Sequence, residues 1–169
     1  TILIKTSNLH STALTIPKDE RVITIEDSAE LRLFQSNVVR LETRNANTEG
    51  RGEIKMRALI KAALRMRPDR LIIGEVRDES ALEMLTALCT GHEGCMSTAH
   101  ANSCKDMLVR LETMALWEGH VSSEAIRQMI VSGVHLIVYL VREGPRRYVR
   151  EICALDGLQQ GEIQLRQVA

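Results

Sequence analysis

The chain has 169 residues, 44% of them hydrophobic, and it carries 22 basic and 22 acidic residues. This length and composition predict a compact domain with a buried core and exclude a largely disordered chain. Zero net charge provides no overall attraction to nucleic acid or anionic lipid. The aromatic residues (one Trp, two Tyr and one Phe) are too few for a base-stacking surface, so we expect no nucleic-acid partner.

The cysteine pattern indicates a reducing compartment. The four cysteines form no CxxC pair and no disulfide-rich spacing, which is typical of a cytoplasmic protein. No apolar run approaches the roughly 20 residues that a membrane span needs, and no signal-peptide pattern opens the chain. Because the first residue is Thr1 rather than Met, we expect that the natural protein begins further upstream.

Two strands are predicted in the first third of the chain. A turn signal at Pro17 precedes the β-branched run of residues 21–25, which ends at the acidic pair Glu26 and Asp27. Residues 37–42 form the second predicted strand. Residues 43–52 carry Gly, Asn and charged residues without periodicity, which predicts a loop.

Helices and strands alternate through the middle of the chain. Apolar residues at helical spacing predict a helix over residues 55–66, which Pro68 ends. A short apolar strand at residues 71–73 stops at Gly74, and a second helix runs from near Asp78 to residue 90, with Gly91 as its C-cap. The remaining predicted elements are a strand at residues 95–99, helices at 105–117 and 122–132, a hairpin of strands 134–141 and 148–155 turning at 143–145, and a last strand at 163–165.

This alternation predicts a parallel sheet with crossover helices. In such sheets, ligands and catalytic groups collect at the carboxyl ends of the strands. Three segments follow predicted strands and carry suitable side chains: residues 26–27, 75–78 and 100–102.

Glu75 follows an apolar strand through Gly74, which is the minimal form of a Walker B element. An acid held there can orient Mg²⁺ or polarise an attacking water molecule. Short patterns of this kind also occur in exposed turns, so a solvated turn glutamate is the alternative.

A second acidic cluster consists of Glu26 and Asp27, with Glu30 one turn further on. Clustered carboxylates repel one another unless a cation compensates them, so a divalent metal ion is a natural partner. The alternative is that Asp27 and Ser28 cap the N-terminus of a helix.

The third strand end carries His100, whose imidazole can stabilise the phosphate end of a nucleotide. Zinc binding is a competing hypothesis, although the spacing of the candidate ligands matches no standard finger or ribbon. Those candidates are Cys89, His92, Cys95, His100 and Cys104. Basic residues in the same part of the sequence would pair with phosphate or with surface carboxylates. They are Arg40, Arg44, Arg65, Arg67, Arg70 and Arg77.

Taken together, these segments resemble the type II/IV secretion ATPases. RVITIEDSAE at residues 21–30 resembles the Asp box of that family, LRMRPDRLIIGEVRD at 64–78 its Walker B box, and GHEGCMSTAHANS at 91–103 its His box. Three further segments are similar to the tight-adherence pilus branch: VRLETR at 39–44, EGRGE at 49–53 and RLETM at 110–114. Ordered boxes are more specific than any single motif.

The resemblance implies an α/β fold: a RecA-like P-loop NTPase core with a mostly parallel sheet flanked by helices, plus a C-terminal β-hairpin. Residues 1–169 would form a single, partial ATPase domain without the N-terminal regulatory domain of the family. The implied ligands are ATP and Mg²⁺. The implied assembly is a cytoplasmic hexameric ring, peripheral at the inner membrane, whose partners are pilus or secretion platform proteins.

The resemblance also implies roles for individual residues. Glu75 would be the catalytic glutamate, while Glu26, Asp27 and Glu30 would organise Mg²⁺ and water. The Mg²⁺ ion would be held through water by Glu26, Asp27 and Glu75. His100 would contact the nucleotide phosphates or the neighbouring box. Three arginines would stabilise charge or link subunits: Arg77, Arg40 and Arg44.

The chain departs from the family at the phosphate loop, G-x-x-x-x-G-K-[ST]. Lys5 and Thr6 occupy the position of its Lys-Thr end, and a helix over residues 6–16 fits the spacing before Pro17. The residues before Lys5 include no glycine, although glycines let backbone N–H groups wrap the phosphates. We therefore expect poor ATPase activity, either from a truncated gene product or from a degenerate remnant that acts only as an interaction scaffold.

Overall fold

The computed structural model describes residues 2–4 (backbone only), 9, 13–91 and 94–169. The described strands are β1 (Ile2–Ile4), β2 (Arg21–Glu26), β3 (Asn37–Glu42), β4 (Arg70–Ile73), β5 (Met96–Thr98), β6 (Leu136–Glu143), β7 (Arg146–Gln159) and β8 (Glu162–Gln167). The helices with described bounds are α1 (Met56–Leu64), α2 (Ser80–Leu88), α3 (Cys104–Leu116) and α4 (Ser123–Gly133).

All of these strands join one sheet in the order β3-β2-β4-β5-β1-β6-β7-β8. Strands β1 to β6 pair in parallel, and β6, β7 and β8 pair in antiparallel fashion. The short strand β1 lies between β5 and β6, with Ile4 opposite both Thr98 and Val138. The predicted α/β architecture, a mostly parallel sheet flanked by helices with a C-terminal antiparallel extension, is confirmed.

The two faces of the sheet bury different cores, because successive side chains of a strand point to opposite faces. Ile23 and Ile25 of β2 pack into the larger core, which contains the apolar faces of α1 to α4. Val22 packs into a smaller core on the other face. That smaller core includes Leu9 and Ala13, which are helical and lie inside the helix predicted for residues 6–16.

Local sequence signals account for where the helices begin. The Ser103 hydroxyl accepts a hydrogen bond from the Asp106 N–H at the start of α3, and Ser122 does the same for Ala125 at the start of α4. These N-caps satisfy backbone donors that have no partner inside the helix. Gly91, predicted as a C-cap, has a φ of 84°, which the lack of a Cβ makes accessible.

The structure differs from the predictions mainly in the C-terminal strands. The hairpin is longer than residues 134–155, because β7 extends from Arg146 to Gln159 through two register shifts. Antiparallel strands with one solvated face tolerate polar residues, so hydropathy understates their length. Among the described residues, no helix has the length and apolarity needed to cross a membrane.

Candidate functional site

Three of the predicted site segments lie along one edge of the sheet. Glu26 ends β2, Glu75 follows β4 after Gly74, and His100 follows β5. Because β2, β4 and β5 are adjacent and parallel, their carboxyl ends meet at the same edge. Strand β1 also ends there, since Ile4 pairs with Thr98 at the end of β5.

Glu75 and His100 form a direct pair in which the histidine Nε2 lies 3.1 Å from a Glu75 carboxylate oxygen. The Glu75 side chain is 27% exposed and that of His100 is 53% exposed, so solvent reaches the pair. A ring nitrogen at this distance from a carboxylate oxygen ties the two side chains to one relative orientation. Glu75 is therefore partly exposed to solvent and in contact with His100.

Backbone hydrogen bonds on both sides fix the position of Glu75. The Gly74 N–H donates to the carbonyl of Ile25 on β2 at 2.8 Å, and the Val76 N–H donates to the carbonyl of Thr98 on β5 at 2.9 Å. The Thr98 hydroxyl donates to the carbonyl of Gly74. The catalytic candidate is therefore held between two neighbouring strands rather than on a free loop.

Glu26 is a buried carboxylate, only 5% exposed. One of its oxygens accepts backbone N–H bonds from Glu30 at 2.9 Å and Leu31 at 3.0 Å. The other oxygen, Oε1, is also buried and has no hydrogen-bond partner within the described part of the chain. Buried polar atoms are nearly always satisfied, so this oxygen is suited to a group that arrives from outside the described structure, such as a cation or its bound water.

Gly74 allows the close approach of the two acidic segments. A Cβ at this position would lie 3.1 Å from the Cγ of Glu26 and 3.4 Å from the carbonyl oxygen of Ile25. Few real Cβ contacts are this short, so a larger residue would push against the Glu26 side chain. Gly74 therefore leaves room for the Glu26 side chain, whose carboxylate is held by its two backbone hydrogen bonds.

Asp27 is held by two other side chains. Arg77 Nη2 lies 2.5 Å from its Oδ2, and the Thr43 hydroxyl donates to its Oδ1 at 2.9 Å. Residues 27–36 form no helix, so the hypothesis that Asp27 and Ser28 cap a helix is wrong. The segment is anchored instead by the Glu26 carboxylate, to which Glu30 contributes its backbone N–H while its side chain stays exposed.

The predicted basic residues do not gather at this edge as one group. Arg77 lies there, and Arg40 and Arg44 are exposed on and after β3. Arg44 Nε donates to the Gly52 carbonyl at 2.6 Å, which folds the loop between β3 and α1 back on itself. Arg70 begins β4 and pairs with Glu20, so it stands at the amino edge of the sheet. Arg65 and Arg67 lie in the α1–β4 connection that leads to that same amino edge.

The zinc hypothesis is not supported by the described ligands. Cys89 is exposed, and its thiol donates to the carbonyl of Met129. Cys95 is buried, and burial raises the pKa of its thiol. Among the described residues, Cys104 lies close to two other potential metal ligands, but these do not include Cys89, Cys95 or His100. His92 lies outside the described residues, as do Lys5 and Thr6.

The sequence assigned no individual role to Thr98 or Thr24. Thr98 is 1% exposed and links the ends of β4 and β5. Thr24, on the same face of β2 as Glu26, is fully buried, and its hydroxyl has no hydrogen-bond partner among the residues the structure describes. For Thr24, the available signal was a hydroxyl in the middle of an apolar strand. Because β-branched Thr is common in strands, this signal did not indicate a functional role.

Comparison with known proteins identifies relatives over nearly the whole chain. The family model described as "Type II/IV secretion system protein" matches residues 4–156. A putative conjugal transfer protein of Mycobacterium tuberculosis is 38% identical over 152 residues, which is 89% of this chain and 43% of that protein. Protein VirB11 of Agrobacterium fabrum is 36% identical over 151 residues, 87% of this chain and 44% of that protein.

Solved structures give the same result for the fold. The VirB11 ATPase of the Brucella suis type IV secretion system is 28% identical, with a TM-score of 0.74, over 90% of this chain and 47% of that one. The pilus retraction motor PilT, at 22% identity and a TM-score of 0.61, supports the fold alone. The chain thus spans less than half the length of these relatives. It belongs to the type II/IV secretion system protein family, and its sheet and helices form the α/β, RecA-like core of that family.

Proposed function

We propose that this chain forms the nucleotide-hydrolysing core of a secretion or conjugation motor subunit. The relatives that support the proposal include a putative conjugal transfer protein and the VirB11 ATPase of a type IV secretion system. The observation that carries it is the meeting of Glu26, Glu75 and His100 at one sheet edge, with Glu75 paired to His100 and one buried Glu26 oxygen open to a further partner.

In this proposal, Glu75 polarises the water molecule that attacks the terminal phosphate of ATP. A carboxylate can do so when its orientation is fixed before the reaction, and the His100 contact and the flanking backbone bonds supply that orientation. Mg²⁺ would supply positive charge at the phosphates. Glu26, Asp27 and Glu75 would hold its water ligands, with Glu30 contributing to the same acidic cluster.

Arg77 has a supporting role in this arrangement. Its guanidinium lies 2.5 Å from the Asp27 carboxylate and compensates its negative charge. This pairing reduces the repulsion between Asp27 and the neighbouring Glu26. Arg40 and Arg44 are exposed at the outer side of the sheet, beyond β2. We assign them to the contact with a neighbouring subunit of a ring, where exposed guanidinium groups can reach a phosphate or a carboxylate.

The proposed site also includes Lys5 and Thr6, which would bind the phosphates of ATP. The segments VRLETR, EGRGE and RLETM favour the tight-adherence pilus branch as the machinery served. On that basis the ring would work in the cytoplasm against platform proteins of the inner membrane. Residues 1–169 would form one ATPase domain, corresponding to part of the longer relatives.

A second candidate function is that of a catalytically inactive interaction domain. Ile4 stands where the family loop has the glycine before its lysine, and its backbone is extended and paired on both sides in β1. An isoleucine there cannot adopt the conformations with which glycine wraps phosphates. In this case the chain would keep the fold and the ring surface and lose ATP turnover.

Calorimetric titration of the purified protein with ATP and Mg²⁺ separates the two candidates. The motor proposal predicts saturable heat at millimolar nucleotide that depends on Mg²⁺, and weaker nucleotide-dependent Mg²⁺ binding in Glu75→Gln. The absence of any heat in a folded sample would refute the motor proposal for this chain. Sedimentation analysis of the same sample tests the scaffold candidate, which requires self-association without nucleotide.

A further inference from the structure

A second group of potential ligands lies away from the three strand ends. The thiols of Cys104 and Cys153 and a carboxylate oxygen of Glu151 all lie within 4.8 Å of one another. Cys104 is 1% exposed and Cys153 is 7% exposed, while Glu151 is half-buried. The proposed hydrolysis site uses none of these three side chains, and both cysteines also belong to the larger hydrophobic core, where the Cys104 thiol donates to the carbonyl of Ile137.

The fold directs all three groups to one point. Glu151 and Cys153 are two residues apart on β7, so their side chains share one face of the sheet. The register of β6 and β7 shifts beside Glu151, between Tyr139 and Leu140, and such irregularities re-aim neighbouring side chains. Cys104 is the first residue of α3, and its backbone N–H donates to Glu151 at 3.2 Å.

We propose that Cys104, Cys153 and Glu151 bind a thiophilic divalent metal ion, with Zn²⁺ as the ion whose ligand preferences they match. Zinc takes thiolate ligands at about 2.3 Å and carboxylate oxygens at about 2.0–2.2 Å in tetrahedral geometry. Ligand atoms on such an ion are roughly 3.5–3.8 Å apart, so closure from the present separations requires side-chain movements on the order of 1 Å. The fourth position is left for water or another donor.

Binding follows a balanced exchange. The two cysteines are free thiols in the structure, so each S–H gives up its proton to solvent as its sulfur bonds to the metal. Glu151 contributes a carboxylate oxygen. One divalent ion therefore replaces two protons, and no oxidant or reductant takes part.

The carboxylate argues for a metal ion rather than a disulfide between the same cysteines. A disulfide needs two sulfur atoms alone, whereas Glu151 adds a hard oxygen donor that zinc accepts and a disulfide does not use. A bound ion would tie β7 to the start of α3, the helix that follows the His100 segment. The proposal does not depend on nucleotide hydrolysis and stands or falls separately from it.

Metal titration of the reduced, chelator-treated protein tests this inference. Zn²⁺ should bind at one ion per chain, as measured by competition with a chromophoric chelator, and Co²⁺ should produce a thiolate-to-metal charge-transfer absorption. Glu151→Gln should lower the Zn²⁺ affinity at least about tenfold, the loss typical even of outer-sphere partners. This variant keeps an oxygen for the Cys104 N–H, so it should preserve the fold.

Cysteine variants supply the matched comparison. Cys104→Ser and Cys153→Ser should each remove the Co²⁺ charge-transfer absorption, and Cys89→Ser, at an exposed thiol outside the group, should leave it unchanged. If a core serine prevents folding, Glu151→Gln decides the question. Substoichiometric Zn²⁺ binding by the reduced protein, or unchanged affinity in Glu151→Gln, would each overturn the proposal.

Discussion

Replacing Glu26 separates its structural task from its proposed role in the active site. In Glu26→Ala the N–H groups of Glu30 and Leu31 lose the carboxylate oxygen that they share. Leu31 is 9% exposed, so water cannot readily replace its lost acceptor, whereas Glu30 is exposed and can recover part of the loss. In Glu26→Gln the amide oxygen can still accept both bonds, while the charge disappears and an NH2 group replaces the buried Oε1 that has no partner among the described residues.

The structure sets the size of the expected effect. A buried donor left without an acceptor costs about 1–3 kcal/mol, and the partly exposed one costs less. We therefore expect Glu26→Ala to lower the free energy of unfolding by about 2–4 kcal/mol. Glu26→Gln should change it by less than about 1 kcal/mol, because both hydrogen bonds survive and the buried NH2 replaces an oxygen that is already without a described partner.

Urea unfolding followed by circular dichroism measures both variants. The midpoint should fall in Glu26→Ala and stay near that of the parent protein in Glu26→Gln, with an unchanged m-value in both. If Glu26→Ala is as stable as the parent, the carboxylate does not anchor residues 27–36. If Glu26→Gln is destabilised as much as Glu26→Ala, the charge rather than the pair of hydrogen bonds provides the anchor.

Two other substitutions test the packing and the electrostatics. A Cβ on Gly133 would lie 2.8 Å from the Cβ of Leu88, so Gly133→Ala should lower the free energy of unfolding by about 1–3 kcal/mol, as measured by urea unfolding. Ser132 is exposed, and Ser132→Ala is the control that should not destabilise the protein. Equal stability of Gly133→Ala and the parent protein would contradict the close packing of α2 and α4. A hydrogen bond from Arg70 holds the pKa of Glu20 below its ordinary value of 4.5, so the pair stabilises the protein above pH 4.5 and the benefit disappears as pH falls through the lowered pKa. Glu20→Gln should flatten the acid limb of stability against pH, and an unchanged limb would contradict the pairing.

The sequence predicted the sheet edge that carries the candidate site, because the relevant signals are local. Apolar runs followed at once by Glu26, Glu75 and His100 each mark a strand end, and parallel topology brings such ends together. The contact between Glu75 and His100 could not be read from spacing. It depends on the register of β4 and β5, which long-range pairing determines.

The signals that failed were those with two local interpretations. Asp27 and Ser28 have the composition of a helix cap, but the following segment is held by the buried Glu26 carboxylate and adopts no helix. Arg70 was grouped with the other arginines, but it lies at the amino end of β4, paired to Glu20. Cys104 and Cys153 are far apart in the chain, so only the fold reveals that they are neighbours.

The most direct test of the proposed active site is steady-state ATP hydrolysis by the purified protein and its Glu75→Gln variant. Removing a general base typically costs about 10²–10⁴-fold in turnover, so Glu75→Gln should lose hydrolysis while still binding nucleotide. Glu79→Gln, which removes the same charge from a residue paired with Lys55 at 3.8 Å, is the matched control and should retain it. Equal turnover in the parent protein and Glu75→Gln, or no turnover in the parent, would contradict the assignment of this sheet edge as a working hydrolysis site.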